Sequence, residues 1–410
     1  MPEISKRGQL MPNSPIRKLV PYAESATKRG IKVYKLNIGQ PDIETAPTAI
    51  EAIKNYNTKL IDYGHSAGNE SLRRKWAEYY KKLNINVDYE DILITTGASE
   101  AITLTLLTCL NAGDEIIVPE PFYANYFSFA TASDVKVIPV TSSIEENFAL
   151  PDISEFENKI TSKTKAIIIC NPNNPTGYIY SKEELEKIKF LIKKYDLYLL
   201  SDEVYRELCF DEKFFSIMHM LKGVEENVIL IDSVSKRYSA TGLRVGALVT
   251  KNKNIIDTAL KFCQARLCPP HIGQIAAEGA FDAPQEYLDN LVDEFKKRRD
   301  FVVEYLNTIP GVVCPKPKGA FYLMARLPVD DAEKFAIWML ENFEYKKQTV
   351  MLAPGAGFYF NTNLGKQEVR IAYVLNIEEL KNALECLKMG LEAYPFKVKT
   401  DEQIKISISN

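Results

Sequence analysis

Short apolar runs alternate with longer amphipathic stretches along most of this 410-residue chain. The apolar runs have the length and β-branched content of buried strands, and they predict strands at 92–95, 115–118, 135–140, 166–170, 198–201, 228–233 and 247–250. Helical patterns lie between them, among others at 99–110, 181–195 and 253–262. Strands that alternate with helices form a mostly parallel sheet with helices on its faces. The pattern therefore predicts an α/β fold whose large domain has a mostly parallel, seven-stranded sheet.

The sequence changes in character after residue 284. A long amphipathic helix is predicted at 285–309, then strands at 319–325 and 368–374 and a closing helix at 377–394. This order is typical of a second, smaller α+β domain, on which we expect the proline-rich N-terminal segment to pack. We therefore predict a large domain at 46–290 and a small domain made of 1–45 and 291–410.

Composition excludes several classes of function. The formal net charge of -3 gives no general attraction to nucleic acid or to acidic membranes. No apolar run is long enough to span a bilayer, and the first thirty residues lack the apolar core of a signal peptide. Seven scattered cysteines without Cys-x-x-Cys spacing indicate reduced thiols in a cytoplasmic protein. The three histidines lie far apart and form no metal-binding motif.

Lys236 follows the predicted strand at 228–233, at the point where a buried strand opens onto the edge of the sheet. A lysine amine at such a position can form a Schiff base with a carbonyl cofactor. Ser233, Ser235 and Arg244 flank it and can together neutralise a phosphate ester. The alternative is a loop with a solvated basic cluster, and this segment alone does not decide between the two.

Asp202 and Tyr205 follow the predicted strand at 198–201. A buried carboxylate there needs a cationic partner to remain ionised, and a protonated pyridine nitrogen is one. Tyr205 can hydrogen-bond the phenolic oxygen of such a ring. A helix N-cap with a core tyrosine explains the same letters.

Three further segments follow predicted strands. Backbone N–H groups of Ala98 and Ser99 stand at a helix start and can bind an anion, although Ser99 can equally be a plain N-cap. Asn174 lies in the stiff Asn-Pro loop 171–177 and carries an amide donor. Tyr123 can stack on a planar ring, whereas we expect its neighbour Phe122 to be a core residue.

Arg370 lies inside an alternating strand pattern. An arginine in a half-buried strand requires a carboxylate partner. Either an internal Asp or Glu or the α-carboxylate of an amino-acid substrate can meet that requirement.

Taken in order, these segments resemble the class I (fold-type I) pyridoxal-phosphate-dependent aminotransferases, particularly the prokaryotic aspartate aminotransferases. The resemblance runs from about residue 36 to residue 391. It rests on the strings 37–42, 63–68, 95–101, 171–177, 202–205 and 233–246 and on Arg370.

The resemblance implies a fold, a cofactor and a set of roles. Lys236 would hold pyridoxal 5'-phosphate and move the proton between the substrate Cα and the cofactor, with Asp202 and Tyr205 as the other catalytic residues. Arg370 would bind the substrate carboxylate with help from Gly39 and Asn174. The implied cofactor-binding residues are Ala98, Ser99, Tyr123, Asn174, Asp202, Tyr205, Ser233, Ser235, Lys236, Arg244 and, from the neighbouring subunit of a homodimer with active sites at the subunit interface, Tyr63.

The resemblance leaves the substrate open. One aspartate-specific prokaryotic subgroup carries a lysine where this chain has Ser99. Arg266 is our candidate for reading a distal carboxylate, the alternative being an exposed arginine without a role. We expect transamination between an L-amino acid, with aspartate as the leading donor, and a 2-oxo acid such as 2-oxoglutarate. An aromatic- or alanine-type aminotransferase, a C–S β-lyase and a catalytically silent binding protein are the alternatives.

Overall fold

The computed structural model describes residues 2–398, so Met1 and residues 399–410, which the sequence assigns to the small domain, lie outside the described part. Its strands are β1 Lys32–Lys35, β2 Ile92–Thr95, β3 Glu115–Glu120, β4 Lys136–Thr141, β5 Thr164–Cys170, β6 Tyr198–Asp202, β7 Val228–Ser233, β8 Gly246–Val249, β9 Tyr322–Arg326, β10 Gln348–Met351, β11 Ala353–Pro354 and β12 Glu368–Ala372.

Seven of these strands form the central sheet, in the spatial order β2-β8-β7-β6-β5-β3-β4. β8 runs antiparallel to both of its neighbours, and the other pairs are parallel. Every residue of β7 is buried, as are the last five residues of β5, because helices cover both faces of the sheet. The predicted α/β fold with a mostly parallel, seven-stranded sheet is confirmed.

The helices are α1 Lys6–Leu10, α2 Val20–Lys28, α3 Pro47–Asn55, α4 Glu70–Lys82, α5 Gly97–Cys109, α6 Asn125–Ala132, α7 Ile153–Glu157, α8 Lys182–Tyr195, α9 Val234–Arg237, α10 Lys253–Arg266, α11 His271–Ala280, α12 Gln285–Asn307, α13 Ala332–Glu341 and α14 Ile377–Ala393. Within residues 2–398, none of them is both long enough and apolar enough to cross a membrane.

Most predicted helices shift by only a few residues. Ser181 is the N-cap of α8 and forms a capping box with Glu184, so the helix begins one residue later than predicted. α5 begins two residues earlier than predicted, at Gly97, with Thr96 in the N-cap position. Ser99 therefore lies in the first turn of α5, and the alternative that it is an N-cap is wrong.

Two smaller sheets lie outside the central one. β11, β12 and β9 form an antiparallel sheet, and β1 pairs in parallel with β10. Ala23 of α2 and its N-cap Leu19 belong to one apolar cluster with Ala336 and Leu340 of α13. These contacts agree with the expected small domain, while its boundaries stay a prediction.

Candidate active site

The parallel strands bring their carboxyl ends to one edge of the central sheet, which is where ligands bind in open α/β sheets. β6 ends at Asp202 and β7 ends at Ser233, and these strands are neighbours. β5 lies on the other side of β6 and leads into the loop that carries Asn174. β2 runs in the same direction as β7, so the start of α5 at Gly97 reaches the same edge.

A cavity of about 620 Å³ opens at this edge. Most of the site residues that we predicted from the sequence line this one cavity: Gly39, Ala98, Ser99, Tyr123, Asn174, Asp202, Tyr205, Ser233, Ser235, Lys236, Arg244 and Arg370. They come from distant parts of the chain, so a shared wall is a property of the tertiary fold.

Lys236 lies on the short helix α9, and its amine points to the loop after β1. Its Nζ donates to the carbonyl oxygen of Gly39 at 2.9 Å. Burial, and then the positive charges of Arg370 and Arg244, lower the pKa of Lys236 from 10.5 to about 8. A substantial fraction of this amine is therefore unprotonated at mildly alkaline pH, which is the form that can act as nucleophile or base.

The carboxylate of Asp202 is buried, and no cationic side chain among residues 2–398 forms an ion pair with it. Its oxygens accept from the Tyr126 hydroxyl at 2.8 Å and from the Val204 amide at 3.3 Å. Burial raises the pKa of Asp202 to about 6, although both hydrogen bonds oppose the rise. Such a carboxylate is suited to a cationic ligand group.

The start of α5 and Arg244 line one end of the cavity, and their donors are suited to an anion. The N–H groups in the first turn of α5 have no partners within the helix. Gly97 has φ of +73°, and a Cβ there would come within 2.4 Å of Arg244 Nη2. A glycine is therefore required for the arginine to lie against the helix start.

The serine pair Ser233 and Ser235 completes this end. The two hydroxyl oxygens are 2.8 Å apart, and Ser233 Oγ also lies 2.8 Å from the carbonyl oxygen of Val245. Both serines are buried, and Ser233 is the N-cap of α9. Their positions agree with an anion site that shares a wall with Lys236.

Arg370 is fully buried on β12, rather than half-buried as the alternating pattern suggested. Its guanidinium donates to Asn174 Oδ1 at 2.9 Å and to the carbonyl oxygen of Asn37 at 2.5 Å. Arg370 forms no ion pair within residues 2–398, and its Nε is buried without a hydrogen-bond partner there. The sequence left two possible partners for this arginine, an internal Asp or Glu and a substrate carboxylate. Within the described residues, no internal Asp or Glu pairs with it.

Tyr322 closes the cavity beside Arg370. The Arg370 guanidinium lies 4.4 Å from the centre of the Tyr322 ring, and the Tyr205 and Tyr322 hydroxyl oxygens are 3.2 Å apart. Gly39 approaches this ring so closely that a Cβ on it would lie 1.7 Å from the Tyr322 hydroxyl. Any side chain at position 39 would therefore displace the wall that joins Lys236 to Arg370.

A buried ionic network includes Arg237, the residue that follows Lys236. Arg237 contacts both carboxylate oxygens of Asp232 at 2.6 and 2.7 Å, and Trp76 and Tyr80 donate to the same carboxylate. Arg206 pairs with Glu203 at 2.8 Å close to Asp202 in sequence. Buried charges require such partners. The two ion pairs hold in place the chain segments that carry Lys236 and Asp202.

Two nominated residues lie outside this cavity. Tyr63 is 78% exposed and lines a second hollow of about 800 Å³ together with Arg266 and Thr96. Arg266 pairs with Glu100 at 3.4 Å and donates to the carbonyl oxygen of Ser66 at 3.0 Å. It is therefore a partly buried, ion-paired residue, and the alternative of an exposed arginine does not describe it.

Sequence reasoning missed several residues of the cavity wall. Tyr322 lines the cavity, and Tyr126 donates a hydrogen bond to Asp202. The sequence indicated neither residue, because a tyrosine in a helix or strand pattern is usually a core residue. Ser14, Ile16 and Arg17 of the N-terminal segment also line the cavity, and no motif indicated them. The one available signal was the proline-rich composition of that segment, which is typical of a fixed, non-helical turn.

Comparisons with known proteins find chains that are similar over nearly the whole length of this one. A sequence model of the family described as aminotransferase class I and II matches residues 31–387. The aspartate aminotransferase of Pyrococcus horikoshii is 33% identical over 396 residues, which cover 95% of this chain and 97% of the relative. The solved aspartate aminotransferase of Thermus thermophilus with maleate has a TM-score of 0.86 at 28% identity, with 95% and 100% of the two chains covered. The alanine aminotransferase of Pyrococcus furiosus has a TM-score of 0.86 at 30% identity, with 96% and 100% covered.

Proposed function

The chain belongs to the class I and II aminotransferases and is an enzyme of the transferase class, and on that premise we propose that it transfers an amino group between L-aspartate and 2-oxoglutarate. We further propose a ping-pong reaction with pyridoxal 5'-phosphate as the cofactor. The observation that carries the proposal is a single cavity that Lys236, Asp202, Arg244 and Arg370 line together.

The residues of the cavity fit pyridoxal phosphate. Asp202 is a buried carboxylate without an ionic partner in the described chain, as a site for a protonated pyridine nitrogen requires. Arg244, the serine pair and the amides of Ala98 and Ser99 provide donors for a phosphate group. Asn174 Nδ2 and the Tyr205 hydroxyl are available for the ring oxygen, and Tyr123 for the ring face. When bound, the cofactor supplies a ring that accepts the electron pair left at the substrate Cα after proton loss.

Lys236 performs two tasks in this proposal. Its amine would hold the cofactor through the aldehyde carbon, and the freed amine would accept the proton from the substrate Cα. The lowered pKa of about 8 supports both tasks, because the free amine is the reactive form. The hydrogen bond to the Gly39 carbonyl holds Nζ on the side of the cavity that Arg370 also lines.

Arg370 orients the substrate. Its buried guanidinium has no acidic partner within residues 2–398, so the α-carboxylate of an amino acid would complete the charge pair. Asn174 and the Asn37 carbonyl fix the plane of the guanidinium through their hydrogen bonds. Fixing one end of the substrate directs its Cα–H bond, which raises the rate by orientation.

A specific observation favours a second candidate donor. Ile16, Ile38 and Ile102 line the same cavity, and an apolar wall suits a neutral side chain. The similarity to an alanine aminotransferase agrees with this alternative. Alanine- or aromatic-type transfer and C–S β-elimination thus remain the competing reactions on the same site.

We also propose a cytoplasmic homodimer with Tyr63 of each subunit reaching the neighbouring cavity. Tyr63 is exposed beside Leu60 and Ile61, which are 69% and 62% exposed. An apolar run of this kind on the surface usually marks an interaction site. The free cysteines, seven within the described residues, support a reducing compartment.

The proposed function is tested with the purified protein and a panel of amino acids. With pyridoxal phosphate and 2-oxoglutarate, we expect aspartate to yield oxaloacetate and glutamate in equal amounts and faster than alanine, phenylalanine or tyrosine. If alanine is turned over faster than aspartate, alanine and not aspartate is the amino donor. Pyruvate and ammonia from cysteine-type substrates without any acceptor would instead indicate a β-lyase.

Replacing Tyr126 by phenylalanine will raise the pKa of Asp202 above about 6, because a hydrogen bond to the ionised carboxylate is lost. A hydrogen bond to a charged group contributes about 1.5–3 kcal/mol, so we expect kcat to fall roughly 10- to 100-fold. Steady-state kinetics from pH 6 to 9 measure the effect. Tyr373→Phe, which removes a buried hydroxyl bonded to the Ala320 carbonyl, is the control. Equal losses in both variants would show that Tyr126 acts only through stability.

A further inference from the structure

The N-terminal turn that carries Arg17 forms part of the cavity wall. The cavity is also lined by Lys236, Arg244 and Arg370, while Asp202 is the one acidic residue on the wall of this cavity as described. The proposed function uses Arg244 for the phosphate, Arg370 for the α-carboxylate, and Lys236 with Asp202 for the chemistry at the ring. Arg17 is the cation that this assignment leaves without a partner.

The Arg17 side chain has no ion pair and no side-chain hydrogen bond among residues 2–398. Its neighbour Lys18 differs, because that side chain pairs with Glu333 of α13. Two adjacent basic residues therefore have separate environments, one satisfied by the protein and the other open to the cavity.

The backbone of this turn is fixed to the substrate end of the site. Arg370 donates to the carbonyl oxygen of Asn37, and Asn37 Nδ2 donates at 2.9 Å to the carbonyl oxygen of Ile16. Arg17 is the next residue, so two hydrogen bonds and one residue connect it to the Arg370 guanidinium. Such a connection fixes the backbone of Arg17 relative to the Arg370 guanidinium.

Packing holds the turn in place from the other side. Pro15 lies so close to Gly357 that a Cβ on the glycine would be 2.2 Å from the proline Cβ. Ile16 packs on the apolar cluster that contains Ala124 and Phe358. The exposed Arg17 side chain thus extends from a rigid turn and not from a loose terminus.

We propose that Arg17 is a specificity-determining residue that binds the distal carboxylate of a dicarboxylic substrate, while Arg370 binds its α-carboxylate. This inference rests on the proposed function of the same cavity. It assigns to the N-terminal turn the role for which the sequence suggested Arg266, which is paired with Glu100 and lines the other hollow. Isoleucines also line this wall, so a substrate with a neutral side chain can bind there. In that case the exposed Arg17 guanidinium can remain in solvent, and its charge is not buried without a partner.

The test compares the holoenzyme with Arg17→Gln, Arg17→Lys and the matched control Lys18→Gln. In Arg17→Gln we expect kcat/KM for aspartate to fall roughly 10- to 100-fold, as for a lost charge-assisted hydrogen bond, with alanine changed by less than about threefold. Arg17→Lys retains the charge without the planar fork and should give an intermediate value. Lys18→Gln should leave both substrates unchanged.

Calorimetry provides a readout that does not depend on turnover. Succinate and butyrate are four-carbon acids that differ in having two carboxylates or one. We expect the wild-type holoenzyme to prefer succinate, and Arg17→Gln to lose that preference. Equal loss of aspartate and alanine turnover, or an unchanged succinate preference in Arg17→Gln, would overturn the proposal. If Arg266→Ala alone removes the preference, the distal carboxylate is read by Arg266 and the proposal for Arg17 is wrong.

The experiments distinguish a failure of the proposed aspartate specificity from a failure of the proposal for Arg17. An enzyme that uses alanine but not aspartate would refute the proposed donor through the wild-type kinetics alone. The succinate and butyrate comparison would still decide on Arg17 in that case, because it measures recognition of a second carboxylate directly.

Discussion

Replacing Lys236 by methionine will abolish amino-group transfer, with kcat reduced about 10,000-fold or more. Among the described residues that line the cavity, Lys236 is the one lysine, and the variant removes it together with the proposed base for the Cα proton. Methionine has nearly the same length and no charge, so the surrounding wall keeps its packing. The decrease is measured as single-turnover conversion of aspartate.

The same substitution will stabilise the cofactor-free protein at neutral pH. The pKa of Lys236 is lowered from 10.5 to about 8 in the folded chain, so the unfolded chain binds a proton more tightly. That difference corresponds to about 3 kcal/mol of folding free energy that the wild-type protein loses below pH 8. The free energy of unfolding therefore rises with pH between about 8 and 10.5 in the wild type, and the advantage of methionine shrinks over this window.

Urea denaturation of both cofactor-free proteins at pH 7 and pH 10.5 measures this effect. We expect the stability difference to be largest at pH 7 and small at pH 10.5. Lys193→Met, which alters an exposed lysine on α8, serves as the matched control and should show neither effect. A Lys236→Met protein that is less stable than wild type at pH 7 would contradict the argument from burial.

Replacing Arg370 by glutamine will lower kcat/KM roughly 100- to 1,000-fold for every amino acid. Removing one partner from a buried, hydrogen-bonded charge pair costs about 2–5 kcal/mol, and all amino-acid substrates carry the α-carboxylate. Aspartate and alanine should therefore lose similar factors. This distinguishes Arg370 from Arg17, whose replacement should affect aspartate selectively.

Kinetics with both substrates measure the Arg370 effect. Arg326→Gln on the neighbouring strand β9 is the control, because Arg326 pairs with Glu145 and does not line the cavity. A decrease confined to aspartate in Arg370→Gln would mean that this arginine reads the distal carboxylate instead.

Much of the fold was predictable because its signals are local. The strands β2 and β7 have the predicted limits, and the other five strands of the central sheet differ from them by at most two residues at either end. Buried parallel strands require continuous apolar runs, so the positions of these strands can be predicted directly from the sequence. The ends of the helices are harder to predict from the sequence than the ends of the strands. α5 begins at Gly97 because the Glu100 side chain accepts from the Thr96 amide at 2.6 Å, a contact that no propensity indicates.

The candidate site was predictable where a side chain immediately follows a strand. Asp202 and Ser233 end neighbouring strands, and Lys236 follows within three residues, so the α/β topology alone brings them together. Tyr322 and Arg17 reach the cavity from a strand of the smaller sheet and from the N-terminal turn, and Tyr126 of α6 donates to Asp202. Their contribution depends on how those elements pack, and each looks ordinary in its own segment.

The local sequence was enough to predict a mostly parallel α/β sheet with Lys236, Asp202 and the Ser233–Ser235 segment at its edge. Those properties follow from apolar periodicity and from residues at strand ends, both of which act over short distances along the chain. Three further properties follow only from the packing of distant segments: Arg370 is buried without an acidic partner in the described chain, Arg266 is paired with Glu100, and Arg17 lines the cavity. Whether a charge is satisfied depends on residues far apart in sequence, which only the packed chain brings within reach.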